Sequence, residues 1–161
     1  MGSTTAGLEG IIAGESEICY IDGYSGILSY RGYNIHTLAD NATFEEVVFL
    51  LWKGWLPKQG ELDQLKKALV AERELPGPIV DFLKGAPPQA NSMDLLRTAV
   101  SMLSLYDAEA QDMSAEANHR KAVRLMSKTP TLVTTYDRLR NGKPIIPGDP
   151  NLSFAANFLY M

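Results

Sequence analysis

Residues 30–62 read YRGYNIHTLADNATFEEVVFLLWKGWLPKQGEL, and this stretch decides the fold. Thr43-Phe44-Glu45-Glu46 is a capping box, with Thr43 at the N-cap and Glu46 three residues on. Hydroxyl and carboxylate can each satisfy a backbone N–H that the first helical turn leaves open. Phe44, Val47, Val48, Leu51, Trp52 and Trp55 then recur at helical spacing. That spacing predicts one broad apolar face on a buried amphipathic helix over 44–53. Gly54 and Pro57 bracket its end.

Outward from this helix, the rest of the chain reads as more helix. On the amino-terminal side, 18–21 and 27–31 are short strand-like runs joined by Asp22-Gly23-Tyr24-Ser25-Gly26, predicting a small hairpin. The Gly-x-x-Gly spacing of that turn lacks the lysine and following helix of a phosphate cradle. Asn34 is placed to cap one turn over 35–39. On the carboxy-terminal side, 61–73 carries Leu62, Leu65, Leu69 and Val70 on one face and charges on the other. Pro76-Gly77-Pro78 breaks it, and Pro78 suits the first turn of a helix over 79–84.

Asn91 or Ser92 caps a helix over 93–106 whose apolar residues, from Met93 to Tyr106, cover more than one face. Such a helix is buried from several directions, and in a chain of this size a second subunit supplies a plausible second surface. Ser114 caps the longest helix, 115–140, on the order of 40 Å long. Ala122, Val123, Leu125, Met126, Leu132, Val133, Tyr136 and Leu139 mark its apolar stripe. Pro130 is expected to interrupt and kink it, and Asn141-Gly142 to stop it. A last helix, capped by Ser153, spans 154–161. It ends on apolar residues with no terminating Gly or polar tail, as a truncation or cleavage product would.

Composition narrows the function classes. The 161 residues are 45% hydrophobic and 21% charged, with a net charge of -4. No basic stripe marks a nucleic-acid surface. Cys19 is the single cysteine, so no internal disulfide forms, in keeping with a reducing compartment. It sits in an apolar run and reads as a buried structural thiol. Residues 1–7 are small and polar, expected to be a disordered end, with no basic and apolar regions of a signal peptide. Met1-Gly2 suggests myristoylation, but Ala6 stands where that motif needs Ser or Thr. No apolar run is long enough for a membrane span, and a cytoplasmic location is expected.

The wording of the central stretch goes beyond periodicity. Tyr30-Arg31-Gly32-Tyr33-x-Ile35, Phe44-Glu45-Glu46-Val47, Leu50-Leu51-Trp52-x-Gly54-x-Leu56-Pro57 and Glu61-Leu62 together resemble the amino-terminal part of bacterial citrate synthases. The likeness runs on collinearly through Met93-Asp94-Leu95-Leu96-Arg97-Thr98-Ala99-Val100-Ser101, His119-Arg120, residues 124–131, Asn151-Leu152-Ser153 and residues 156–161. It covers nearly all of 8–161. Asn91-Ser92 stand where most relatives have His-Pro, and a cap is kept.

The resemblance implies a mainly α fold: the first part of a helical large domain with a small amino-terminal β-hairpin, cut short before the catalytic region. It implies a homodimer in which 93–106 and 115–140 pack against their mates. The implied reaction is a metal-free, tricarboxylic-acid-cycle acyl transfer. A carboxylate takes a proton from the methyl group of acetyl-CoA, a histidine donates to the enol oxygen, and the nucleophile attacks oxaloacetate. The citryl thioester is then hydrolysed to citrate and CoA.

The family's His-x-x-His-Glu, Gly-Pro-x-His-Gly and Gly-x-Gly-His motifs do not occur in this sequence. No catalytic, cofactor-binding or metal residue is therefore assigned. Of the two histidines, His36 lies in a polar turn and reads as structural or solvated. His119 opens the long helix and reads as solvated, the rival being an anion contact near the dimer axis. Arg31 is the most tempting ligand residue, but a structural role near the hairpin is preferred. The expectation is an inactive scaffold that binds no cofactor itself. Its rivals are the matching part of a 2-methylcitrate synthase, which uses propionyl-CoA, and a non-catalytic helical dimerisation module. The abrupt apolar end argues against the module.

Overall fold

Side-chain caps set the starts of five helices. Asn34, Thr43, Asn91, Ser114 and Ser153 each accept a backbone N–H of the first turn that follows. The computed structural model describes residues 12 and 14–161. The expected disordered end, 1–7, lies outside them. The described residues form a mainly α structure of seven α-helices and a three-stranded antiparallel sheet. They fall into two compact units, Met1–Pro57 and Lys58–Met161.

The first unit holds strands β1 (Cys19–Asp22), β2 (Ile27–Tyr30) and β3 (Tyr33–Asn34), then helices α1 (Ile35–Asn41) and α2 (Phe44–Lys53). The sheet has one strand more than the expected hairpin, because Tyr30 pairs with Tyr33 and Ser29 with Asn34. Arg31 and Gly32 both have positive φ, 48° and 85°. A two-residue turn with both central φ positive matches the twist of the flanking strands, so the chain reverses within Tyr-Arg-Gly-Tyr. In the β1–β2 connection, the Asp22 carboxylate accepts from the N–H groups of Tyr24 (3.0 Å) and Ser25 (3.1 Å). Those N–H groups are spent inside the turn, and the Ser25 contacts hold the Asp22 carboxyl below its ordinary value. Cys19 is exposed, not buried as expected, because every β1 side chain but that of Asp22 stays open to solvent.

The α2 capping box forms as read. The Thr43 N–H donates to Glu46 Oε2 at 2.7 Å, and the Glu46 N–H reaches Thr43 Oγ1 at 3.4 Å. Gly54 ends the helix in the left-handed region. The buried face is rotated from the predicted one. Glu45, Val48, Phe49 and Leu50 are buried, while Phe44 and Trp55 stay exposed. Trp55 lies past the Gly54 stop, which takes it off the helical stripe; its ring meets Phe49 edge-on at 6.1 Å.

The second unit is built around α6 (Ala115–Arg140), against which α3 (Gln59–Ala71), α4 (Gly77–Lys84), α5 (Ser92–Leu103) and α7 (Phe154–Tyr160) all pack. Its core joins Leu75, Ile79 and Leu83 from the α4 region, Leu95, Ala99 and Leu103 from α5, and Leu132 and Tyr136 from α6. Leu95, Ala99 and Leu103 fall at i, i+4 and i+8, Ile79 and Leu83 and likewise Leu132 and Tyr136 at i and i+4, the stripe that helical period presents to a neighbour. The Tyr136 hydroxyl donates to the Ala90 carbonyl at 3.2 Å. The helix expected over 93–106 ends at Leu103, and Ser104–Tyr106 tighten into a 3₁₀ turn. Helix α6 continues through Pro130 without the expected interruption. A proline inside a helix removes one N–H donor, and the packing along α6 tolerates that loss. At its end, the Gly142 N–H bonds Leu139 O (3.0 Å) and the Lys143 N–H bonds Arg138 O (2.8 Å). That pair of bonds, with Gly142 at φ 65°, is a Schellman stop.

The loop after α6 is fastened by arginines. Arg73 donates to the carbonyls of Asp149 (2.7 Å) and Leu152 (3.0 Å), and Arg138 donates to those of Pro144 and Met161. Buried Asn157 accepts the Asp149 N–H at 2.8 Å.

Candidate functional site

In the first unit, Arg31 turns inward from the reversal it helps to form. Its Nη2 donates to the Leu51 carbonyl at 3.2 Å, and its Nη1 lies 3.5 Å from the exposed Glu17 carboxylate. Its Nε is buried without a hydrogen-bond partner. The guanidinium thus links the strand turn to the last turn of α2, a structural placement. His36 is exposed, with its N–H on Asn34 Oδ1 at the start of α1. In the second unit, His119 is half-buried on the first turns of α6. The two histidines stand in different units, 83 residues apart in sequence.

A groove of about 380 Å³ opens in the second unit along α5, the 3₁₀ turn and α6. Val100, Leu103, Tyr106, Leu125 and Pro76 give it an apolar floor, and Asp107, Lys121, Arg124 and Lys128 line its edge. The cations at that edge are engaged. Arg124 Nε bonds Asp107 Oδ2 at 2.9 Å, and Arg124 Nη2 bonds Glu109 Oε2 at 2.8 Å. Arg120 Nε reaches both Glu109 oxygens at 2.9 and 3.1 Å, and its Nη2 makes a further bond to Oε1. Lys121 Nζ donates to the carbonyls of Asp112 (2.6 Å) and Ala110 (3.5 Å). Lys128 pairs with Glu72 at 2.9 Å. Arg120 first, and then Arg124, hold the Glu109 carboxyl far below its ordinary value of 4.5, at about 2. Burial alone would have pushed it the other way.

This network went unpredicted, since 107–113 reads only as a polar link. The signal was present: acids at 107, 109 and 112 precede cations at 120, 124 and 128, one helical turn apart on one face. The arrangement can cover apolar surface and hold a loop in place. Acid–base catalysis needs proton donor and acceptor within hydrogen-bond reach of a reacting group, and no pair on this rim is left open for that. Among the described residues no cluster of three or more His, Cys, Asp or Glu is placed to hold a metal ion. No helix among them is long and apolar enough to cross a membrane.

The family model described as "Citrate synthase, C-terminal domain" matches residues 7–161. The chain belongs to the citrate synthase family. It is 42% identical over 160 residues to citrate synthase 2 of Bacillus subtilis, covering 98% of this chain and 42% of that protein. It is likewise 42% identical to the citrate synthase of Haloferax volcanii, covering 99% of this chain and 43% of that one. A 2-methylcitrate synthase of Mycobacterium tuberculosis is 37% identical, over 96% of this chain and 39% of that protein. The crystal structure of the Pyrobaculum aerophilum citrate synthase superposes with a TM-score of 0.88 at 35% identity, covering 96% of this chain and 41% of that one. The chain spans about two-fifths of the length of these relatives. The helical architecture, including α5 and α6 on either side of the groove, is therefore the family's.

Proposed function

We propose that this protein works as a citrate-synthase-type condensing enzyme, joining acetyl-CoA to oxaloacetate to give citrate and CoA in the cytoplasm. In this reading the 161 residues supply helical scaffold and a self-association surface, through 93–106 and 115–140, and turn over no substrate by themselves. The observation that carries it is the collinear match to citrate synthases along 7–161. Two features of the chain support the division of labour. Leu105, Tyr106, Leu125 and Val133 leave apolar surface open on the 3₁₀ turn and α6, as helices meeting a second copy would. The two histidines lie in separate units, and the groove's cations are engaged, Arg124 and Lys128 with carboxylates and Lys121 with backbone carbonyls.

The test is CoA release from acetyl-CoA and oxaloacetate, with sedimentation of the same sample at high micromolar concentration. The expected result is a self-associating chain with no turnover. Turnover at a rate typical of an intact enzyme would overturn the scaffold reading, and a strictly monomeric chain would overturn the self-association. A second reading, that the whole enzyme is a 2-methylcitrate synthase, has support from the Mycobacterium tuberculosis relative. Propionyl-CoA in place of acetyl-CoA, assayed on a protein carrying the rest of the family's length, separates the two.

A further inference from the structure

We infer that residues 107–114 form a charge-latched strap whose release opens the α5–α6 groove, so that ionic strength controls access to the apolar floor. The segment has no apolar anchor. None of its side chains is buried, and its largest apolar residue, Met113, is 76% exposed. Its side-chain hydrogen bonds to α6 are polar contacts, most of them from one cationic face, Arg120, Lys121 and Arg124; Asn118 Nδ2 adds one neutral bond to the Met113 carbonyl at 3.1 Å. Asp107 and Glu109 meet two arginines between them, and Lys121 takes two strap carbonyls. Ser114 then caps α6, so the far end of the strap is a fixed hinge.

The strap is also a wall. Asp107 and Ala110 line the groove beside Tyr106, with Val100, Leu103 and Leu125 beneath. The Arg120–Glu109 side chains are 50% and 30% exposed, those of Arg124 and Asp107 19% and 18%. Ion pairs yield to salt to the extent that solvent reaches them, Arg120–Glu109 first, whereas the apolar floor is not weakened by it. One condition therefore acts in opposite directions on cover and floor. Added salt loosens the strap and leaves a wider apolar surface. The charged groups facing the latch are Asp107, Glu109, Asp112, Glu116, Arg120, Lys121 and Arg124, with Lys128 and Glu72 paired at the next turn.

Amide hydrogen exchange of the 161-residue chain tests this. Ala110 and Asp112 N–H close turns inside the strap on the carbonyls of Asp107 and Glu109, both at 3.0 Å. Their exchange should rise about tenfold between low salt and about 1 M NaCl, where the screening length falls to about 3 Å. Amides of 123–132 in α6 should not change, and the neutral apolar dye Nile red should gain fluorescence in parallel. Glu109→Gln keeps the side chain's shape and should raise strap exchange at low salt while flattening the salt response. Salt-insensitive strap amides would overturn the inference, as would exchange that rises equally in α6. Should Glu109→Gln fail to fold, the salt series on the unaltered chain still decides.

Discussion

The seam between α5 and α6 and the strap that crosses one end of it use the same two helices and opposite physics. The seam is closed by Leu95, Ala99 and Leu103 against Leu132 and Tyr136, with Ala99 wholly buried and Leu132 nearly so. The strap, a few residues beyond Leu103, buries no apolar side chain and is held by polar contacts, most of them from three cationic residues. Packing gives the seam a stability that neither salt nor acid reaches directly. Charge gives the strap a position that both can take away. One helix can therefore carry a rigid edge and a releasable one, according to which side chains a given turn presents.

The comparison breaks most visibly at Leu132. Leu132→Ala leaves a cavity in the seam and should cost about 2–5 kcal/mol, read as a fall in urea midpoint at unchanged slope. A loss under about 1 kcal/mol would mean that the seam collapses around the gap and is not close-packed. Tyr136→Phe tests a polar tie beside the seam, the 3.2 Å bond to Ala90 O. It should cost about 1 kcal/mol, with no salt dependence, in the same titration.

The smallest effect sharpens the other side. The Glu109 carboxyl sits at about 2 when folded against an ordinary 4.5. A depressed folded value means that its contribution is fully present above about 4.5 and is lost as pH falls toward 2. Protection of the strap amides, taken as the intrinsic exchange rate at each pH over the observed one, should therefore fall across that window, and Glu109→Gln should remove most of the fall. A pH response that persists in the variant would shift the acid-sensitive group to Asp112, whose carboxyl the Ser114 N–H holds below its ordinary value.

Most helix positions were legible because their ends are local chemistry. Thr43 with Glu46, Asn91, Ser114, Ser153 and the Asn141-Gly142 pair announce termini that need no tertiary information. What escaped the sequence depends on neighbours. Periodicity gives the width of an apolar stripe but not which edge is covered, so α2 buries Glu45 and Phe49 and leaves Phe44 exposed. Met93, Leu105 and Tyr106 extend the α5 pattern at both ends yet stay open, since the unit's own core stops at Leu95 and Leu103. The third strand was missed because an arginine rarely takes positive φ. The ionic strap was hidden for a different reason. A polar stretch between two helices reads as solvent-facing until the turn spacing of its partners is set against it.

Arg31 meets two demands that no other side chain meets together. Its backbone must tolerate φ 48°, which favours Gly or Asn, and its side chain must cross to the Leu51 carbonyl. Gly and Asn satisfy the turn but fall short of α2. Lys spans the distance but brings a single ammonium in place of a planar fork, and it gains nothing on the backbone. Each of these substitutions gives up one half of the bargain, so a change at this position calls for a second change in the turn or in α2.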